Sequence, residues 1–254
     1  MKQFAAIDLG SNSFHMVVAR EDGHALTVID REREMVRLAA GLGESNEILP
    51  AVSERAIACL ARFGERLRAL EADNVRIVGT NALRKAKNSR HFIRDAEQAL
   101  GFSIEIISGV EEARLVYLGA AQSLQGDRGR RLVVDIGGGS TEIIVGDKSE
   151  PIFLESLYMG CVSSSEQYFA KGKYTEKRFR RAILNADLKL EPVIERLKAL
   201  QVEDVIGTSG TARAIEKVVR ENGWSETGIT RKSLEKLMKV ILKAEHLDQF
   251  HIDG

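Results

Sequence analysis

The stretch AAIDLGSNSFHMVV at 5–18 returns as LVVDIGGGSTEIIV at 132–145, and a segment written twice commits a chain to two copies of one structural plan. In each copy an apolar run ends on a carboxylate, Asp8 or Asp135, a turn of small residues follows, and a second apolar run resumes. That pattern predicts a β-hairpin. No helix follows either turn directly, which separates both from a Walker loop or a dinucleotide fingerprint, where the glycines open a helix. A second pair of glycine turns keeps step: VRIVGTNALRKA at 75–86 matches EDVIGTSGTARA at 203–214. Asp8 and Asp135 stand 127 residues apart, and Gly79 and Gly207 stand 128 apart, so two independent matches share nearly one offset. Duplication explains both.

The halves continue in parallel. A further strand is predicted at 25–29 and at 151–156, followed by amphipathic helical sequence around 53–71 and 175–200. The first half adds a strand at 104–108 and a helix over about 109–124. The second half has helical sequence near 211–221 and 231–245 and no counterpart of that last strand and helix. We therefore expect two α/β domains, 1–125 and 126–254, the second incomplete and the sequence an N-terminal piece of a longer protein.

At 254 residues and 44% hydrophobic composition, such domains can bury sizeable cores. Lys plus Arg equals Asp plus Glu at 37 each, so no global field draws the chain to nucleic acid or to an acidic membrane. Any polyanion site must be local. Cys59 and Cys161 have no metal-ligand spacing and read as thiols of a reducing compartment. No apolar run approaches membrane-spanning length, and the expected location is cytoplasmic. His15, His24, His91, His246 and His251 lack mutual ligand spacing, and the RGRR run at 128–131 reads as solvated charge.

Glycines let backbone N–H groups converge on one concavity, and such a nest binds anionic oxygens, with Ser and Thr adding hydroxyl donors. A carboxylate beside a phosphate nest repels the ligand unless a divalent cation or an ordered water lies between them. Asp8 and Asp135 at the strand ends therefore suggest Mg²⁺ that keeps most of its water shell. Two such hairpins facing each other across a cleft would grip one phosphate chain from both sides.

At this point four segments carry a resemblance: DLGSNSFH at 8–15, ISGVEEARLVYLG at 107–119, DIGGGSTE at 135–142 and GTSGTARA at 207–214. Together the sequence resembles the exopolyphosphatase and guanosine pentaphosphate phosphohydrolase family, a branch of the actin, hexokinase and Hsp70 superfamily. The resemblance implies two actin-like, ribonuclease H-like domains with an interdomain cleft, and hydrolysis of a terminal phosphoanhydride bond by water with Mg²⁺. It implies a catalytic role for Glu112, with Asp135 and Glu142 holding metal or water beside Asp8. Phosphate binding is implied for Gly10, Ser11, Asn12 and Ser13, for Arg84, for Gly137, Gly138, Gly139, Ser140 and Thr141, and for Ser209, Gly210 and Thr211. It allows a homodimer in the complete protein.

Inorganic polyphosphate is the first expected substrate, with pppGpp as the alternative in the same mechanistic class. An actin-like ATP-binding module or kinase is the alternative from another class. Between the adjacent glutamates, SGVE at 108–111 fits a capping box with Ser108 as N-cap, which gives Glu111 a structural task and leaves Glu112 for chemistry.

Overall fold

The computed structural model describes residues 2–252 apart from 24, 43–44, 124–128, 245 and 247–251. His24, His251 and Arg128, considered above, lie outside the described residues. The chain forms two compact units, Met1–Gly109 and Val110–Gly254.

In the first unit β1 (Gln3–Leu9) and β2 (Phe14–Asp22) form the expected hairpin, β3 (Ala25–Glu34) pairs antiparallel with β2, and β4 (Val75–Gly79) lies parallel to β1. A two-residue β5 (Glu105–Ile106) completes the order β3-β2-β1-β4-β5. Alternation decides what goes inside: Ala5, Ile7 and Leu9 of β1 and Phe14, Met16 and Val18 of β2 are buried, while Asp8 is exposed. Helix α1 (Pro50–Leu67) meets them with Val52, Ala56, Cys59, Leu60, Phe63 and Leu67, spaced three and four apart. The short α2 (Asn81–Lys85) follows β4, and α3 (Ser89–Leu100) joins the same core through Phe92, Ala96 and Leu100.

The second unit repeats the plan. It opens on α4 (Gly109–Ser123), followed by β6 (Arg130–Ile136), β7 (Thr141–Asp147), β8 (Glu150–Leu157) and β9 (Asp204–Thr208) in the order β8-β7-β6-β9. The pairings match those of the first sheet: β6 with β7 and β7 with β8 antiparallel, β6 with β9 parallel. Helices α5 (Cys161–Tyr168), α6 (Glu176–Ala199), α7 (Ser209–Glu221) and α8 (Arg231–Ala244) complete it. Strand β7 is buried from Thr141 to Gly146, and its alternation feeds two cores. Ile144 joins Val133 with Ala113 and Tyr117 of α4, whereas Ile143 and Val145 join Phe153 and Val193 of α6. Because α4 packs on β6 and β7, the unit boundary falls at the start of that helix, ahead of the expected 125/126. Among the described residues the second sheet has four strands against five in the first.

Three elements escaped the periodicity. Helices α3 and α5 follow turn-rich sequence, and β3 runs on to Glu34 through the charged segment Arg31, Glu32, Arg33 and Glu34. Among the described residues no helix is long and apolar enough to cross a membrane.

Candidate active site

The β6–β7 turn is built around two carboxylates brought together by strand register. Asp135 stands opposite Glu142 across the hairpin and opposite Thr208 on β9. Within the turn Gly137 N–H donates to the Ser140 carbonyl at 3.0 Å. From outside, the first turn of α5 donates into the loop: Cys161 N–H to the Gly137 carbonyl at 2.9 Å, Val162 N–H and Ser163 N–H to the Gly138 carbonyl at 2.9 and 3.1 Å. Thr141 Oγ1 donates to the Met159 carbonyl at 2.7 Å. Gly160 makes this approach feasible, since a Cβ there would meet the Gly138 carbonyl carbon and oxygen at 2.5 Å and the Gly139 nitrogen at 2.6 Å. The carbonyls are thus spent on α5, while the amides of Gly138 and Gly139 take no part in these backbone bonds among the described residues.

Glu142 is 2% exposed, and it stands where the first hairpin has His15. Ser156 Oγ donates to Glu142 Oε1 at 2.8 Å, and Ser140 adds a second side-chain bond. Burial, followed by repulsion from Glu112 and then Asp135, pushes the Glu142 carboxyl up to about 7 against the pull of those two serines. Asp135 is also raised, by burial, with bonds from Ser209 and Thr208 opposing. The charges of Glu112 and Asp135 thus both act on a buried Glu142, a repulsion that a positive charge would relieve. Among the described residues no three Asp, Glu, His or Cys side chains are grouped to hold an ion directly. Asp135 and Glu142 offer the few carboxylate oxygens that an Mg²⁺ ion keeping most of its waters would need.

Helix α4, which carries Glu112, is fixed to β7. Tyr117 is buried, its hydroxyl donates to the Lys148 carbonyl at 2.8 Å, and its ring lies over Gly146, where a Cβ would come within 2.0 Å of it. The neighbouring glutamate is engaged otherwise: both Glu111 oxygens accept from the Arg114 guanidinium at 2.7 Å. Glu111 is thus held in an ion pair with Arg114, three residues along α4.

Several hydroxyls expected on phosphate hold the protein instead. Thr141 donates to Met159, Ser140 bonds Glu142, and Ser209 Oγ donates to the Ile136 carbonyl at 2.7 Å. Ser209 sits in the left-handed region at φ 65° as α7 begins, a conformation uncommon outside glycine. The bond from Ser209 to the Ile136 carbonyl and the roles of Ser156, Gly160 and Tyr117 were not read from the sequence. The register opposite Glu142 is the signal that finds Ser156.

In the first unit the corresponding turn has the same frame. The Ser11 and Asn12 carbonyls accept from Ala39 N–H at 2.8 Å and Arg37 N–H at 2.7 Å, and Ser13 Oγ lies 2.8 Å from His15 Nε2. Asp8 faces His15 and Val78 across the sheet. Arg84, half-buried, donates to the Ile107 carbonyl at 2.8 Å.

Comparison with known proteins agrees with this construction. The profile of the Ppx/GppA phosphatase family matches residues 17–254. The guanosine-5'-triphosphate,3'-diphosphate pyrophosphatase of Aeromonas hydrophila is 44% identical over 251 residues, covering 99% of this chain and 50% of that protein. The chain thus spans about half the length of the curated relatives it matches. Among solved structures, an exopolyphosphatase-like protein aligns with TM-score 0.81 at 28% identity, covering 87% of this chain and 69% of the other. The Aquifex aeolicus PPX-GPPA enzyme aligns with TM-score 0.73 at 25% identity, covering 95% and 81%. With paired actin-like α/β units, a carboxylate-lined glycine turn and a family match over nearly its whole length, the chain belongs to the Ppx/GppA phosphatase family.

Proposed function

We propose that the protein is a phosphoanhydride hydrolase that removes the terminal 5' phosphate of pppGpp, with the second unit supplying the hydrolytic groups. The observation that carries this reading is the burial of Glu142 opposite Asp135 beside the Gly137–Gly139 turn, with the charge of Glu112 acting on it, in a chain 44% identical to a relative named for that substrate. Phosphoryl transfer requires positioning and charge neutralisation more than covalent chemistry. Glu112 orients the attacking water and accepts its proton. The Gly138 and Gly139 amides offer donors to phosphate oxygens. Asp135 and Glu142 would hold Mg²⁺ through water, and the ion would supply the charge that offsets their repulsion and that of the phosphates. Gly210 and Thr211, at the start of α7 in the same unit, belong to the same proposal as further phosphate contacts.

Inorganic polyphosphate is the second substrate, favoured by the 28% identical exopolyphosphatase-like structure. Phosphate release from pppGpp, polyphosphate and ATP, measured side by side with Mg²⁺ and with a chelator, tests the proposal. The expected result is Mg²⁺-dependent release with pppGpp preferred over polyphosphate and ATP inert. Release from ATP at a matching rate would overturn it.

A further inference from the structure

We propose that Ser156 on β8 is a positioning residue of this site, fixing the carboxylate of Glu142, which stands opposite Asp135 across the β6–β7 hairpin. Its effect on turnover rests on the hydrolase reading; its effect on the Glu142 side chain does not. Ser156 stands opposite Glu142 in the β7–β8 register, and its hydroxyl donates to Oε1 at 2.8 Å. Glu142 is 2% exposed, so little solvent is available to replace a lost donor, and an unpaired buried carboxylate is costly. Glu112 and Asp135 push on Glu142, and the Ser156 and Ser140 hydroxyls hold it. Removing the Ser156 hydroxyl lets the side chain turn away from its neighbours.

Two independent features support this assignment. The same segment supports the turn twice more, through the Met159 carbonyl that accepts from Thr141 and through Gly160 against Gly138, so β8 and its continuation act as a scaffold for the β6–β7 turn. In the first unit, where the residue at the Glu142 position is His15, the residue opposite it is Arg33. The hydroxyl therefore accompanies the carboxylate and not the hairpin.

Crystal structures and steady-state kinetics of the full chain with Ser156→Ala and Ser156→Thr test the proposal. In Ser156→Ala, Glu142 should leave its rotamer and kcat for phosphate release should fall about tenfold, with KM changed less than about twofold. Its Tm should fall by about 2–4 °C, the shift for one lost hydrogen bond. Ser156→Thr should restore both the rotamer and most of kcat. An unmoved Glu142 in Ser156→Ala overturns the proposal whatever turnover does. Equal losses in the Ala and Thr variants, with Tm falling in both, overturn it as well, because threonine retains the hydroxyl. A parent chain that releases no phosphate overturns the hydrolase reading instead, and the rotamer comparison then decides the positioning role alone.

Discussion

The β1–β2 and β6–β7 turns share a frame and differ in charge. Each lies between antiparallel strands whose inner member also pairs parallel to a later strand, β4 or β9. Each is braced from outside, by the Arg37 and Ala39 amides in one unit and by the first turn of α5 in the other. Each carries a serine bonded to the residue two places on, Ser13 to His15 and Ser140 to Glu142. At that last position an imidazole in one unit becomes a buried carboxylate in the other. The hairpin is thus a common mount, and the chemistry is set by single residues placed on it. At the second turn the charges of Glu112 and Asp135 act on a buried carboxylate, and the proposed hydrolysis is placed there for that reason.

The largest break in this comparison comes from neutralising each divergent position. Glu142→Gln should lower phosphate release about a hundredfold or more, in the range for a positioned ionisable group, while His15→Gln should lower it by less than about tenfold. Steady-state assays on the full chain check this, and equal losses would erase the functional distinction between the turns. Next, Gly160→Ala should displace the Gly138–Gly139 backbone that its Cβ would strike at about 2.5 Å, with kcat falling on the order of tenfold and stability by about 1–3 kcal/mol. Kinetics and denaturant unfolding measured together show both effects.

A smaller effect sharpens the electrostatic side. The Glu142 carboxyl is raised from its ordinary 4.5 to about 7, so the native state holds this proton more tightly than the unfolded chain. Its contribution to stability is therefore fully present below about pH 4.5 and is lost as pH rises through about 7. With chelator present, Glu142→Gln should be more stable than the parent at pH 8 by about 1–3 kcal/mol, and the gap should close towards pH 4. Denaturant titrations across pH check the sign. Adding Mg²⁺ should narrow the gap at pH 8 by stabilising the parent. Smallest of these, Tyr117→Phe removes one buried hydroxyl bond to Lys148 and should cost about 1 kcal/mol in unfolding experiments, with the ring still seated on Gly146.

How much of this could be read from residues alone follows from what each kind of signal encodes. The hairpins were legible because Ala5, Ile7 and Leu9 alternate with Asp8 and stop at a glycine turn, and because the pattern occurs twice. Strand β3 was only half legible: Arg31 to Glu34 carry no apolar alternation, since that edge strand faces water on much of its length. The position of Glu142 opposite Asp135 follows from hairpin register. Its proximity to Glu112 does not, because that depends on how Tyr117 seats α4 over Gly146. Nor does composition show that the Thr141 and Ser209 hydroxyls are spent on the Met159 and Ile136 carbonyls, because nothing in the words Ser and Thr says which way the proton points.

In the proposed reaction Glu112, and not its neighbour, activates water. Glu112→Gln and Glu111→Gln differ by one position on one helical turn, and they divide cleanly here because Glu111 is paired with Arg114 while the charge of Glu112 acts on Glu142. Phosphate release from pppGpp with Mg²⁺, measured for both variants of the full chain, should show kcat lowered about a hundredfold or more in Glu112→Gln with Tm unchanged. Glu111→Gln should keep turnover within about threefold and lose at most about 1 kcal/mol of stability, the range for an exposed ion pair. Turnover in Glu112→Gln within a few fold of the parent, or its loss in Glu111→Gln alone, would contradict the account.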